Sequence, residues 1–232
     1  MHRRTAPRLA RILACAAVPM VLVAGCSDSG GGKKSESTPS AAASAKPSAT
    51  PSLAAAKYPK LPDTCKALPA KTVEDLVPKV KDKAGKALTG SCFWWGLNDE
   101  KADDIQYRAL NLQYNGLSSE PALGSADKRA QEFAEQQVKK AMAEDSPKDV
   151  KSQPASGIGD WASTVTTTTK DQKGVEYHNA TVITRTANVV VTLKYSGAGL
   201  EGAKAPDVSD VSKDAQGAAK EAVAAVAAAN KK

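Results

Sequence analysis

The thiol of Cys26 is the group in this sequence whose setting most clearly predicts a covalent modification. It follows Val23-Ala24-Gly25 at the end of an apolar run over residues 12–25, and the chain before that run has four arginines and no acid. A basic start followed by an apolar run is typical of a secretory signal. As a helix the run would rise about 21 Å, less than a hydrocarbon core of roughly 30 Å, and Pro19 disfavours a helix. A transmembrane anchor is therefore the less favoured interpretation.

The tetrapeptide Val23-Ala24-Gly25-Cys26 looks like a bacterial lipobox. Small side chains let an extended backbone enter a peptidase cleft, and the thiol at the next position accepts a diacylglyceryl group. Cleavage before Cys26 would remove residues 1–25 as a signal peptide and leave a lipidated N-terminus. One acyl chain holds marginally, so two or three, palmitate among them, would give stable anchoring. The alternative is a cysteine that lies by chance near an ordinary signal.

Two further cysteines, Cys65 and Cys92, remain once Cys15 leaves with the signal and Cys26 carries lipid. The default for such a pair in an exported protein is one disulfide. Closing a loop of about 27 residues would stabilise the fold by roughly 3.5 kcal/mol in the chain-entropy model. A metal or redox pair is the rival interpretation, but the sequence has no CxxC motif and one histidine downstream.

Candidates for acid–base chemistry are few. His178 is the one histidine after the signal, and a Ser-His-Asp triad would need it together with nearby threonines or Ser196. A half-buried histidine in a strand is the ordinary alternative. Asp103 and Asp104 are adjacent acids that could serve a metal or an acid–base step, but they fall in a turn, where Asp is common. The sequence has no GxSxG or HExxH motif. We therefore predict no cofactor, no metal and no enzymatic activity.

Three tryptophans are candidates for lining a ligand cavity, although packing in the core is the commoner role. Trp94 and Trp95 are adjacent in a predicted strand, so their rings point to opposite faces of the sheet. If helices cover one face only, one of these rings needs a second layer, a partner or a ligand. Trp95 and Trp161 are the predicted ligand-lining residues.

The elements that would position these groups follow from periodicity. We predict a helix from residue 70 to Pro78, strands over 91–97 and 105–116, and a helix capped by Ser125. Three strands with β-branched residues follow, the last two joined by a turn in which Asn188 takes a positive φ, and an Ala-rich helix ends the chain. The order helix-strand-strand-helix-strand-strand-strand-helix predicts an α+β domain over 61–232, with a mainly antiparallel sheet covered on one face.

Residues 26–60 predict a flexible tether behind the lipid, because Ser, Ala, Pro, Gly and Lys dominate them and cannot bury much apolar surface. Formal charge divides along the same boundaries. Of the net +7, the segments 1–25 and 26–60 hold all the excess, and residues 61–232 have 23 basic and 23 acidic side chains. A domain without net positive charge has no obvious source of affinity for nucleic acid.

The layout resembles an actinobacterial lipoprotein family, the domain of unknown function 3558 family. Besides the lipobox and tether, the resemblance rests on residues 63–68 before a helix, residues 92–94 in a strand, residues 157–162, and the hairpin over 185–191. It implies an α+β fold similar to the PsbP/Mog1-like sandwich and no established activity.

These observations predict a lipoprotein on the outer face of the cytoplasmic membrane, whose domain binds an unidentified cell-envelope ligand or protein partner without catalysis. Two alternatives stay open. One is an envelope hydrolase or transferase that uses His178 or the Asp103–Asp104 pair. The other is a lipid or small-molecule carrier with a cavity lined by tryptophan.

Replacing Cys26 tests the attachment. We expect Cys26→Ala to leave the chain unprocessed or to release it from the membrane, because no thiol is then present to accept lipid. Membrane fractionation and intact mass measure this, and Cys15→Ala is the control, since Cys15 leaves with the signal. Normal processing and membrane retention of Cys26→Ala would contradict the lipobox interpretation.

Overall fold

A seven-stranded antiparallel sheet organises the part of the chain that the computed structural model describes, residues 53–144 and 146–231. The strands are β1 (Lys86–Leu88), β2 (Ser91–Asn98), β3 (Ile105–Gly116), β4 (Lys148–Pro154), β5 (Trp161–Lys170), β6 (Glu176–Thr186) and β7 (Val189–Leu200). Their order across the sheet is β1-β2-β3-β7-β6-β5-β4. The helices are α1 (Ala70–Leu76), α2 (Ala126–Ala143) and α3 (Val208–Ala229), and a 3₁₀ turn spans Thr64–Lys66.

The α+β class and the antiparallel sheet are confirmed, but the predicted order of elements lacks two strands. Both missing strands, β1 and β4, lie at the edges of the sheet. β1 has three residues, and every residue of β4 except Val150 is exposed. An edge strand pairs on one side only and is commonly rich in lysine, so it lacks the apolar alternation that identifies a strand in sequence.

Helices cover both faces of the sheet, so the prediction of one covered face is wrong. Helices α1 and α3 pack on what we call the first face, which carries Trp94, Leu193 and their neighbours. Helix α2 packs on the second face, over Val165, Ile183 and Val190. The run Val189-Val190-Val191 places apolar side chains on both faces of β7, and such continuous runs are typical of strands with two buried faces.

Two buried tyrosines tie the helices of the first face to the sheet. Tyr195 donates its hydroxyl to the carbonyl of Leu76 at the end of α1, at 2.7 Å, and Tyr114 donates to the carbonyl of Ala222 in α3, at 2.9 Å. Burial raises the pKa of Tyr195 to about 12, because the phenolate would lose its hydration there. Alanines of α3 let that helix approach the sheet closely.

The turn between β6 and β7 forms hydrogen bonds with the residues that precede the predicted domain boundary at residue 61. Ala187 adopts the positive φ predicted for Asn188, with φ of 46°, so that detail of the prediction is wrong. The side chain of Asn188 instead accepts from the backbone N–H of Tyr58 at 2.8 Å and donates to the carbonyls of Tyr58 and Leu117. Asn230 bonds the backbone N–H and carbonyl of Lys60 in the same way.

Residues 54–60 are thus hydrogen-bonded to the domain, although the sequence assigns them to the tether. Besides the contacts of Tyr58 and Lys60, Ser119 donates its hydroxyl to the carbonyl of Ala54 at 2.6 Å. We call residues 54–60 the strap. The predicted signal peptide with Val23, Ala24 and Gly25, the predicted lipid attachment at Cys26, and the tether up to residue 52 lie outside the described residues.

Cys65 and Cys92 are joined in a disulfide, with their Cα atoms 5.2 Å apart, in agreement with the predicted pair. The bond connects the 3₁₀ turn to β2, and Cys92 is fully buried beside Trp94 on the first face. It therefore closes a loop that contains α1 and β1.

Removing this disulfide should destabilise the domain without changing its fold. For Cys65→Ala with Cys92→Ala, we expect the free energy of unfolding to fall by about 3 kcal/mol, because the unfolded chain regains loop entropy. Denaturant titration measures the loss, and the wild-type chain under strong reducing conditions should match the variant. An unfolding free energy within about 0.5 kcal/mol of wild type would show that the bond adds nothing to stability.

Candidate functional site

The second face of the sheet is open beyond the C-terminal end of α2. Helix α2 ends at Ala143, and the strands continue past it toward the turns at residues 99–104, 171–175 and 201–205. The register places three rows of side chains across this open area. They are Phe93-Asn111-Lys194-Thr181, Trp95-Ala109-Ser196-Asn179, and Leu97-Tyr107-Ala198-Tyr177.

Two tyrosines meet over a small residue in the outermost row. Tyr107 and Tyr177 lie on either side of Ala198 in the register, and their rings contact edge to face, with centroids 5.9 Å apart. Trp95, 41% exposed, lies 6.5 Å from the Tyr107 ring, and Lys81 lies over the indole. Desolvation raises the pKa of both tyrosines, so both hydroxyls stay protonated and can donate at neutral pH.

Asn179 forms the polar centre of the open area. Ser196 donates its hydroxyl to Oδ1 of Asn179 at 2.7 Å. Nδ2 of Asn179 donates to Oγ1 of Thr169 at 3.1 Å and to the carbonyl of Tyr177 at 3.3 Å. The side chain is 5% exposed, and these contacts define which end carries the oxygen. The network holds the floor of the site in one arrangement.

One ion pair closes the side of the site toward α2. Nζ of Lys194 lies 3.3 Å from a carboxylate oxygen of Glu144. The space bordered by these side chains has a volume of about 410 Å³, and we call it the open groove. It is lined by Phe93, Tyr107, Ala109, Asn111, Glu144, Thr169, Tyr177, Asn179, Lys194 and Ser196. Among the described residues of this lining, the one cation, Lys194, pairs with the one anion, Glu144.

A smaller space of about 110 Å³ continues the open groove beneath the end of α2. Asn111, Glu144 and Lys194 belong to both spaces, and Gln113, Gln137, Lys140, Ala141, Thr181 and Thr192 complete the second. The hydroxyl of Thr192 is buried there without a protein hydrogen-bond partner. The two spaces together form a mostly polar channel along β3 and β7.

The predicted ligand-lining tryptophans lie in different places. Trp95 stands on the exposed side of the open area, and Trp161 lines a separate, more apolar cleft of about 330 Å³ between α2 and the edge of the sheet. Val138 of α2 and Pro154 of β4 complete the apolar part of that cleft. The two tryptophans therefore do not form one site.

His178 lies on the first face, opposite the open groove. Its Nδ1 is 2.6 Å from the carbonyl oxygen of Pro206, and its Nε2 is 3.1 Å from a carboxylate oxygen of Glu176. Hydrogen bonding from His178 and Lys170 lowers the pKa of Glu176. Ser196, the suggested nucleophile, points to the second face and bonds Asn179. The structure does not bring His178 and Ser196 together.

Asp103 and Asp104 lie in the turn between β2 and β3, as predicted. Asp104 accepts from the side-chain amide of Gln106 at 2.6 Å, which is a local contact. Among residues 53–144 and 146–231, no three His, Cys, Asp or Glu side chains converge as a metal site would require. In the same part of the chain, none of the helices combines the length and apolar character needed to cross a bilayer.

Sequence reasoning named Trp95, which lies beside the open groove, but did not identify the groove itself. The tyrosines and asparagines of the groove lie on β3 and β6. They alternate with the apolar residues by which these strands were recognised in the sequence. In β3, Leu110, Leu112 and Tyr114 mark the first face, so Tyr107 and Asn111 must lie on the second. The signal was the presence of aromatic and amide side chains at these alternate positions.

Replacing the central asparagine should make stability depend on pH. In Asn179→Asp, a carboxylate would face the carbonyl of Tyr177, which repels it, so the carboxyl pKa is raised in the folded state. The unfolded carboxyl ionises near 3.9, so stability is retained below about pH 4 and is lost as pH rises toward the folded pKa.

We expect Asn179→Asp to unfold at lower denaturant than wild type at pH 7, with the difference shrinking at pH 4. Unfolding curves at both pH values measure this, and Asn115→Asp, on the same sheet outside the groove, is the control. A destabilisation equal at the two pH values would contradict the network described for Asn179.

No protein-family model matches the chain, and a comparison with curated proteins likewise finds no match. Three features of the described residues bear on function: the aromatic-edged open groove on the second face, the separate Trp161 cleft, and the strap at the other end of the sheet.

Proposed function

We propose that this chain is a lipid-anchored, extracytoplasmic bacterial module that binds a cell-envelope ligand or partner and does not transform it. The observation that carries the proposal is the open groove, where rigid strands present aromatic and hydrogen-bonding side chains to solvent. Binding sites typically combine apolar surface with a few fixed polar groups in this way. The anchor part of the proposal rests on the sequence Val23-Ala24-Gly25-Cys26.

The relative positions of the strap and the open groove support an anchored binding role. The strap bonds to Asn188, at the β6–β7 turn, whereas Tyr177 lies at the far end of β6. Tyr177 lies nine residue steps along the strand from the end of β6 at Thr186, which is about 30 Å. A domain held to a membrane through residues before the strap would therefore present the open groove away from the attachment point.

The contacts of the candidate catalytic residues give the hydrolase or transferase alternative no support. Both ring nitrogens of His178 have partners, Pro206 and Glu176, and neither partner is a hydroxyl or a thiol. Asp104 accepts a hydrogen bond from Gln106, two residues along the chain at the start of β3. Membership of the domain of unknown function 3558 family, with a PsbP/Mog1-like sandwich, remains part of the proposal and rests on the motifs quoted above.

A carrier of a small apolar molecule is the second candidate, and the cleft at Trp161 favours it. Val138, Pro154 and Trp161 give this cleft an apolar wall, and its volume of about 330 Å³ is that of a small-ligand site. Its ligand would lie between α2 and β4, on the same face as the open groove but at the other side of α2.

Site-specific photo-crosslinking in the producing cells tests the binding role. With a photoreactive side chain at Tyr107, we expect a discrete adduct of the full chain, because a ligand in the open groove would contact that position. Lys220, exposed on α3, is the control position, and Val138 reports the Trp161 cleft.

An adduct at Tyr107 alone supports the proposal, and an adduct at Val138 alone favours the carrier. Chemical analysis of the released ligand distinguishes binding from conversion, since a bound ligand is recovered unchanged. Equal labelling at Tyr107 and Lys220, or none at either, would contradict a specific site in the open groove.

A further inference from the structure

The geometry points to a neutral glycan as the ligand of the open groove, an inference that rests on the proposed binding function and narrows it to one class of ligand. The occupant would be a chain of uncharged pyranose sugars that lies along β3 and β7. Four features of the groove carry the inference: its charge, its hydrogen-bonding groups, its aromatic rings and its shape.

The ion pair of the open groove disfavours strongly ionic ligands there. Among the described residues of its lining, Lys194 is the one cation and Glu144 the one anion, and they lie 3.3 Å apart. The continuation beneath α2 adds Lys140, and Lys81 lies over Trp95. A phosphate-rich or polyanionic ligand would need unpaired cations, and a polycation would need unpaired carboxylates. A ligand without net charge can bind beside this pair without breaking it.

The hydrogen-bonding groups of the groove suit a ligand rich in hydroxyls. Asn111 presents an amide that can both donate and accept, and Ser196 and the two tyrosines add hydroxyls. A sugar hydroxyl also both donates and accepts, so it can match such groups in several orientations. An acyl chain would leave these polar groups without water or hydrogen-bond partners, which is unfavourable.

The aromatic rings supply the contact that a sugar ring needs. A pyranose carries C–H bonds on its faces and hydroxyls around its rim, so a face packs on an aromatic ring while the rim bonds polar groups. Tyr107 and Tyr177 are fixed against each other over Ala198, and Trp95 extends the aromatic area along the same face. Rigid rings reduce the entropy lost on binding.

The shape of the groove favours a chain over a single sugar. The polar space beneath the end of α2 continues the open groove past Asn111, as far as Gln113. From Tyr107 to Gln113 the strand rises by six residue steps, which is about 20 Å. Gln137, Lys140 and Thr181 also line this continuation and add hydrogen-bonding groups along it.

Calorimetric titration of the full chain in detergent micelles tests the inference. The probes are neutral tetrasaccharides built from hexose, N-acetylhexosamine or pentose units, with a tetragalacturonate as the anionic comparison. We expect at least one neutral probe to bind and the anionic probe to bind more weakly. Titration at low and high salt should give the same affinity for the neutral probe, because no charges pair on binding.

Variants locate the site. Tyr107→Leu and Tyr177→Leu keep an apolar side chain over Ala198 but remove the ring, so we expect at least about tenfold weaker binding. Tyr107→Phe retains the ring and should stay within about threefold of wild type. Trp161→Leu, in the separate cleft, is the control and should bind as wild type does. Melting temperatures of all four variants show whether a loss of binding reflects unfolding.

The outcomes separate this inference from the binding role itself. Neutral-probe binding lost in the two leucine variants and kept in Trp161→Leu supports a glycan site. Absence of binding by every neutral probe, while Tyr107 crosslinks a lipid or protein in cells, overturns the glycan inference and leaves the binding role standing. If no neutral probe binds and Tyr107 forms no crosslink in cells, both the glycan inference and the binding role are overturned. Binding lost in Trp161→Leu and kept in the tyrosine variants overturns the placement in the open groove.

Discussion

The pairing of β7 with its two neighbours is the constraint on which the rest of the structure depends. All twelve residues of β7 pair with β3, and ten of them pair with β6 as well. Because side chains alternate between faces, this register decides that Leu193 and Tyr195 enter the core under α1 and α3 while Lys194 and Ser196 face the open groove. A slip of one residue would exchange the two sets, burying a lysine and exposing a leucine. Core stability and site geometry are therefore enforced by the same hydrogen bonds.

Prediction from sequence succeeded where a pattern of residue types is compatible with only one kind of local structure. The apolar alternation of β2 and β3, the Ser125 cap of α2 and the Cys65–Cys92 pair were all evident from residue type and spacing. Edge strands β1 and β4 were missed because their partners, not their composition, make them strands. The covering of the second face by α2 was missed because Ala130, Ala134 and Phe133 fit a helix on either face equally well. Periodicity states which side of a helix is buried but not against what.

The open groove shows a further limit of periodicity. Thr169, Asn179 and Ser196 lie on three consecutive strands, and their convergence depends on the register in which these strands pair. Trp95 was identified from its neighbour Trp94, which occupies the core, since two adjacent large rings cannot both face inward from a strand. That reasoning locates a surface but not its chemistry. The tyrosine pair over Ala198 supplies the chemistry, and it requires the register of β7 against β3 and β6.

The disulfide and the strap together determine how the domain would carry a mechanical load. Tension on the chain toward residue 53 acts first on the bond between Ser119 and Ala54, then on the bonds that join Tyr58 to Asn188 and Lys60 to Asn230. If these bonds yield, the force reaches Cys65 and passes through the sulfur atoms into β2, which is paired with β3 along its length. The loop between the two cysteines, with α1 and β1, is bypassed and stays unloaded. A pull on the chain before the strap would thus be carried by covalent bonds and by the hydrogen bonds that pair β2 with β3.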